Sequence, residues 1–341
     1  MPGDTILQVC NLTTQFTGPG GVVKAVDGVT FHVKAGQTLG VVGESGCGKS
    51  VMCLSLIGLI DPPGRIAGGE VWLDGKELLR LSPGELRRVR GREIALVFQD
   101  PMSSLNPVLT VGTQLTETIV SHVRVSRAKA RRAALRLLAG VGLPDPERLM
   151  RRYPFQLSGG MRQRVMIAMA LSLRPKVLIA DEPTTALDVT VQAQILGEMK
   201  RLQKELGTAL ILVTHDLGVI AAMADTVAVM YAGSIVEYGP CTEVFTHPGH
   251  PYTKALLRAV PRLGADDGLV PIPGQPPNLL NLPDCCAFLP RCPLSGEECR
   301  GNRPRLHVCG PEHRVACHRS IGELQPYGED LYEPAAGRRF G

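Results

Sequence analysis

The stretch Gly43-Glu44-Ser45-Gly46-Cys47-Gly48-Lys49-Ser50 constrains this chain more than any other, because it demands one local architecture. It has the form G-x-x-x-x-G-K-S, follows the apolar run Thr38-Leu39-Gly40-Val41-Val42 and precedes an apolar, helix-like segment from Val51 to Ile60. Glycines between a strand and a helix let successive backbone N–H groups curl round a chain of phosphates, and the helix N-terminus adds its partial positive charge beneath them. Lys49 is then placed to reach the β and γ phosphates as a point charge, and the Ser50 hydroxyl to hold Mg²⁺. The expectation is a nucleoside triphosphate site on an α/β sheet.

A chain of 341 residues with 44% hydrophobic content has room for one large α/β domain and a smaller appendage. The net charge of +5 comes mostly from scattered arginines, with clusters at Arg87-Arg88-Arg90-Arg92 and Arg127-Lys129-Arg131-Arg132. Neither cluster interleaves aromatics and the chain has one Trp, so solvated helix faces are expected and nucleic acid is not. Met1-Pro2-Gly3-Asp4-Thr5 lacks the basic start and apolar centre of a signal peptide, and no apolar run approaches the ~20 residues of a membrane span. A protein on the cytoplasmic face of a membrane, held there by a partner, fits the basic balance.

Residues 6 to 37 alternate in period two, as in Leu7-x-Val9 and Val29-x-Phe31-x-Val33, with a Gly-Pro-Gly-Gly turn at 18 to 21. Antiparallel strands are expected there, and Glu70-Val71-Trp72-Leu73 before Asp74-Gly75 continues them. Phe16, at a strand end before the phosphate loop, suits either a core position or stacking on an adenine ring. Glu93-Ile94-Ala95-Leu96-Val97-Phe98 reads as a buried strand ending at Gln99, where ligands bind in open α/β sheets. From about 107 to 154 the pattern is helical: Ser126 can cap a segment whose Ala130, Ala134, Leu137, Leu138 and Val141 share a face opposite Arg127, Arg131 and Arg132.

Leu157-Ser158-Gly159-Gly160, followed by Met161-Arg162-Gln163-Arg164 and a helix from Val165 to Leu173, makes a second anion cradle. One nucleotide has one phosphate tail, so a second cradle implies a second molecule facing it. Val177-Leu178-Ile179-Ala180 is a buried strand ending in Asp181 and Glu182; the first suits Mg²⁺ and the second is placed to polarise an attacking water. Thr185-Ala186-Leu187-Asp188 follows directly, and Leu210-Ile211-Leu212-Val213 ends at Thr214-His215-Asp216, where His215 can contact a γ-phosphate.

The order phosphate loop, Gln99, Leu157-Ser158-Gly159-Gly160, Asp181-Glu182, Thr185-Ala186-Leu187-Asp188, His215 resembles the ATP-binding-cassette (ABC) ATPase family over about residues 6 to 258. The resemblance implies a P-loop NTPase core with an antiparallel β subdomain and a helical subdomain at about 100 to 160. It implies two cassettes that sandwich two ATPs, each between one subunit's phosphate loop and the other's Ser-Gly-Gly. By the same resemblance ATP is bound by Phe16, residues Gly43 to Ser50, Val51 and Gln99, and Mg²⁺ by Ser50, Gln99 and Asp181. Glu182 is the general base, His215 and Lys49 attend the γ-phosphate, Leu157 to Gly160 with Gln163 face the partner's ATP, and Asp188 marks the loop between the subunits. Gln99-Asp100-Pro101-Met102-Ser103-Ser104-Leu105-Asn106-Pro107 and His250-Pro251-Tyr252-Thr253-Lys254-Ala255-Leu256-Leu257 resemble, more narrowly, ATPase subunits of oligopeptide, dipeptide and nickel importers. That subfamily implies a homologous second ATPase, two membrane permease subunits and an extracytoplasmic binding protein, with the chain peripheral to the inner membrane. Cargo other than peptides, a soluble ATPase, or a metal-sensing regulator are the rival readings.

Six of the ten cysteines, Cys285, Cys286, Cys292, Cys299, Cys309 and Cys317, lie beyond a proline-rich stretch from Val260 to Asp284, read as an extended linker. In a chain without an export signal, this crowding points to metal ligation. The spacing Cys286-x5-Cys292-x6-Cys299-x17-Cys317 lacks the C-x2-C pairs of zinc ribbons. Some members of the resembling subfamily carry a [4Fe-4S] cluster on cysteines so spaced, which implies one here, with either Cys285 or Cys286 as its first ligand; Zn²⁺, with His313 and His318 as substitute ligands, and free buried thiols are the alternatives. The expected divisions are 1 to 258 for the ATPase, 259 to 320 for linker and cysteine-rich extension, and 321 to 341 for a frayed tail.

Overall fold

The computed structural model describes residues 4–100, 104–185, 187–259 and 271–319. Pro101, Met102, Ser103, Ala186, the first part of the proline-rich stretch and the tail from 320 lie outside the described residues. In chain order the strands are β1 (Thr5–Gly18), β2 (Gly21–Lys34), β3 (Thr38–Val42), β4 (Gly64–Leu73), β5 (Lys76–Glu77) and β6 (Ile94–Val97). Then come β7 (Val177–Asp181), β8 (Ala209–Val213), β9 (Thr226–Tyr231), β10 (Ser234–Pro240), β11 (His307–Gly310) and β12 (His313–Val315).

The period-two segments form an antiparallel sheet in the order β2-β1-β4-β5, with Val9 facing Phe31 on one side and Val71 on the other. The continuously apolar segments form the second sheet, ordered β11-β12-β10-β9-β3-β8-β7-β6. Strands β9, β3, β8, β7 and β6 run parallel, and every residue of β3, β7 and β8 is buried. A strand covered on both faces has no reason to alternate, which is why these runs read as unbroken apolar text. Because the strands are parallel, the residues following β3, β8, β7 and β6 all emerge at one edge, where doubly wound sheets bind ligands.

Helices cover the faces. The helix Lys49–Leu56 is shorter than the apolar pattern predicts; its chain turns at Gly58, in the left-handed region. Helices Val111–His122 and Arg127–Gly140 make the insertion between β6 and β7, the second capped by Ser126, which accepts from Lys129 N. The helix predicted from Val165 begins six residues earlier, at Gly159, because Ser158 caps it. Among the described residues no helix is long and apolar enough to cross a membrane.

The C-terminal segment is fastened to the cassette. Strand β12 adds antiparallel to β10, pairing Val315 with Glu237, and Leu280 bridges to Val23 in β2. Phe288 enters the main core, T-shaped to Tyr231 and Tyr252 at 5.3 and 5.5 Å. A segment too poor in large apolar groups for a core of its own thus borrows one.

Candidate nucleotide-binding site

The phosphate loop joins β3 to the helix Lys49–Leu56. Gly43, Gly46 and Gly48 take positive φ; at Gly48 (φ 103) a side chain would collide with the Ala25 carbonyl, so only glycine passes there. Lys49 is buried, and its Nζ donates to the carbonyl oxygens of Gly43 at 2.8 Å and Glu44 at 2.9 Å. Ser45, Gly46 and Ser50 are exposed, so the loop's outer rim is open to a ligand.

Two strands away, at the end of β7, Asp181 is buried with its Oδ1 unpartnered, and Ser50 hydrogen-bonds the same carboxylate. Burial raises the Asp181 pKa, an effect that a bound cation would reverse. A buried carboxylate oxygen without a partner beside a serine hydroxyl is the donor set that Mg²⁺ accepts, so the residues fit the ion.

The next residue, Glu182, has φ 46, the left-handed region that non-glycine residues enter at a cost of roughly 1–2 kcal/mol. Its N–H donates to Val213 O in β8 at 2.8 Å, which holds the turn. Gln99 Nε2 donates to Glu182 Oε2 at 3.1 Å, Thr185 Oγ1 donates to the same oxygen at 2.9 Å, and His215 Nδ1 lies 3.5 Å from Oε1. The ends of β6, β7 and β8 therefore converge on one carboxylate. Strain held by several neighbours at a sheet edge is where chemistry is found.

The remaining predicted residues make other contacts. Phe16 is half-buried opposite Gly64 in β4, and a side chain at Gly64 would meet its ring at 2.5 Å. Val51 is half-buried on the first turn of its helix. Ser158 accepts from Met161 N, leaving Gly159 and Gly160 in the first helical turn against Leu187 and Val191. Asp188 caps the helix Val189–Leu206 by accepting from Val191 N at 2.9 Å. Gln163 is not presented with Ser158: it is buried, its Nε2 without a partner. Sequence alone points to no role for Thr185, which donates to Glu182, nor for Arg291 and Tyr252, both of which contact Glu44. Their significance depends on long-range contact, for which one sequence holds no local signal.

Burial pushes the Cys286 thiol up to about 11, with added effects from Cys299, Cys292 and Cys317, and likewise raises Cys292 and Cys317. The Cys286 N–H also donates to Cys299 O at 3.1 Å. The four thiols influence one another electrostatically, and thiolates are the soft donors that a thiolate-bound metal takes. Among the described residues, however, no three His, Cys, Asp or Glu side chains meet as a ligand shell. His313 and His318, the suggested substitutes, are engaged with Glu237 Oε1 at 2.8 Å and Asn302 O at 2.9 Å.

A glycine loop on β3 facing carboxylates at the ends of adjacent parallel strands defines a P-loop ATPase cassette. A model of the ABC transporter family matches residues 26–185, and one described as the oligopeptide/dipeptide transporter C-terminal region matches residues 236–299. The chain is 50% identical to the oligopeptide transport ATP-binding protein OppD of Salmonella typhimurium over 95% of this chain and 96% of that protein. It is 49% identical to the dipeptide transport ATP-binding protein DppD of Bacillus subtilis over 92% of this chain and 94% of that one. Among solved structures it is similar to the ATP-binding cassette MJ0796 in a dimeric post-hydrolysis state with ADP and phosphate, at 30% identity and TM-score 0.63 over 69% of this chain and 98% of that one. The chain belongs to the ATP-binding proteins of the ABC transporter family.

Proposed function

We propose that this protein is the ATP-hydrolysing subunit of an importer that carries di- and oligopeptides across the cytoplasmic membrane. The observation that carries the chemistry is the convergence of Gln99, Thr185 and His215 on Glu182, beside the Ser50–Asp181 pair. The relatives' peptide-transport names carry the cargo.

In this reading the N–H groups of residues 43 to 50 and Lys49 Nζ bind the phosphate chain, and Phe16 stacks on the adenine. Ser50 and Asp181, with Gln99 nearby, hold Mg²⁺, which neutralises phosphate charge when bound. Glu182 accepts a proton from the attacking water, and Gln99 and Thr185 keep its carboxylate aimed. His215, with its side chain 65% exposed, faces the γ-phosphate. Ser158, Gly159 and Gly160 serve the nucleotide of a second cassette, homologous to this one, with Asp188 at the seam. Work reaches two permease subunits through the helical insertion, which exposes Val108 (75%) and Phe155 (63%), the latter stacked on Tyr153 at 5.6 Å. Exposed aromatics on such a lever suit a membrane subunit's cytoplasmic helix. An extracytoplasmic binding protein delivers the peptide.

In this reading Cys286, Cys292, Cys299 and Cys317 would close on a [4Fe-4S] cluster, which would supply cross-linking to a segment without a core of its own. Visible absorption with iron and zinc assays on anaerobically purified protein tests this. Iron with sulfide-to-iron absorption is expected, lost on Cys292→Ser; zinc alone, or no metal, contradicts it. The function itself is tested in vesicles holding the assembled importer: ATP-driven peptide uptake is expected, and Glu182→Gln binds ATP but hydrolyses it roughly a hundredfold more slowly or worse. Hydrolysis near the normal rate in that variant contradicts the assignment of the base.

A further inference from the structure

We propose that Arg291, in the C-terminal extension, is a positioning residue for ATP hydrolysis that holds the phosphate loop in its binding form through Glu44. The inference rests on the ATPase reading above.

Arg291 has a side chain only 3% exposed, and all three guanidinium nitrogens are committed. Nη1 donates to Glu44 Oε2 at 2.6 Å and Nη2 to Oε1 at 3.0 Å, a two-pronged match of planar cation to carboxylate. Nη1 also lies 3.3 Å from Tyr231 Oη, and Nε donates to Pro273 O at 2.8 Å. The guanidinium carbon stands 5.9 Å from the ring centres of both Tyr231 and Phe288. Pairing with Glu44 drives the Arg291 pKa further up, so it stays charged throughout the working range.

Its partner is the second residue of the phosphate loop, and three anchors meet there. The Glu44 carboxylate takes Arg291, its N–H donates to Tyr252 Oη at 2.9 Å, and its carbonyl accepts from Lys49 Nζ at 2.9 Å. Pro276, Pro277 and Leu279, also from the extension, line the small void of 10 Å³ behind Glu44, Gly46 and Cys47. A loop with three glycines at positive φ has little stiffness of its own, so fixing it before the nucleotide arrives needs such outside contacts. Without Arg291, the Glu44 carboxylate would stand unneutralised within the loop that receives a triphosphate, and like charges at that range repel. Removing the cation therefore loosens the loop and opposes the ligand's charge. Both effects act on nucleotide binding more than on the chemical step, whose residues follow the ends of β6, β7 and β8. The cysteine-flanked turn carrying Arg291 thereby becomes part of the ATP site.

The test measures KM for ATP and kcat in the full importer, together with nucleotide affinity in the Glu182→Gln background. Arg291→Met should raise KM roughly tenfold or more with kcat changed much less. Glu44→Gln added to Arg291→Met should bring KM partly back, because it removes the charge that the first change exposes. Arg291→Lys keeps the charge but not the fork, so its KM should fall between wild type and Arg291→Met. A normal KM in Arg291→Met or Arg291→Lys, or a double variant worse than Arg291→Met, would overturn the proposal. If Arg291→Met does not fold, by its melting curve, Arg291→Lys decides: a KM equal to that of the wild type overturns the proposal. A wild-type importer without ATPase activity would defeat the underlying reading instead.

Discussion

Glu182 and His250 show how differently two ionisable side chains are used in one cassette. Glu182 is held in a costly backbone conformation at the sheet edge with three neighbours on its carboxylate, an arrangement that keeps a base aimed. His250 is buried; its Nδ1 accepts from Tyr252 N at 3.0 Å, and its backbone N–H donates to Oε2 of the buried Glu237 at 2.9 Å. Burial lowers its pKa from 6.5 to about 3. The folded state thus keeps His250 neutral where the unfolded chain takes up a proton. Its contribution is fully present above pH 6.5 and is lost as pH falls toward 3. The loss approaches about 1.4 kcal/mol per pH unit in that window, or about 2 kcal/mol between pH 6.5 and 5. Denaturant unfolding at pH 7 and 5 should show the wild type losing more stability than His250→Asn, whose amide oxygen can still accept from Tyr252 N; equal losses would contradict this. The placement of Lys49 at the helix start after β3, and of Asp181 and Glu182 at the end of β7, was legible because strand, loop and charge lie side by side in the chain. Arg291 was not, since its partner Glu44 lies 247 residues away.

The helix Gly159–Leu171 carries two roles on one turn. Ser158 caps it, and in the two-cassette reading the same serine and the glycines after it face a neighbour's nucleotide. These roles separate by magnitude. Loss of a cap costs about 1 kcal/mol of stability, whereas loss of a donor to transition-state charge costs roughly a hundredfold in rate. Ser158→Ala should therefore unfold at slightly lower urea while its hydrolysis in the assembled pair collapses; a rate loss no larger than the stability loss would leave only the capping role. Elements were legible where periodicity was clean: period two for β1 and β2, unbroken apolar runs for β3, β7 and β8. Boundaries shifted where a local device overrode the pattern, as the Ser158 cap did and as Gly58 did after Leu56. The extension was hardest to foresee. Its order comes from lending Phe288 to a core built by Tyr231 and Tyr252, a contact that composition cannot reveal.

At the scale of the molecule, the parallel sheet presents a phosphate loop with its acids at one edge, while Ser158 to Gly160 lie in a separate helix start packed on Leu187 and Val191. In the two-cassette reading proposed above, one chain supplies the two halves of a site to two different nucleotides, and the second cradle serves the nucleotide of another cassette. Sedimentation of the Glu182→Gln protein, with and without a co-expressed partner cassette, in the presence and absence of ATP and Mg²⁺, tests this directly. ATP should produce a two-cassette species that disperses when nucleotide is removed. Cassettes that stay separate at saturating ATP, with either partner, would contradict the account.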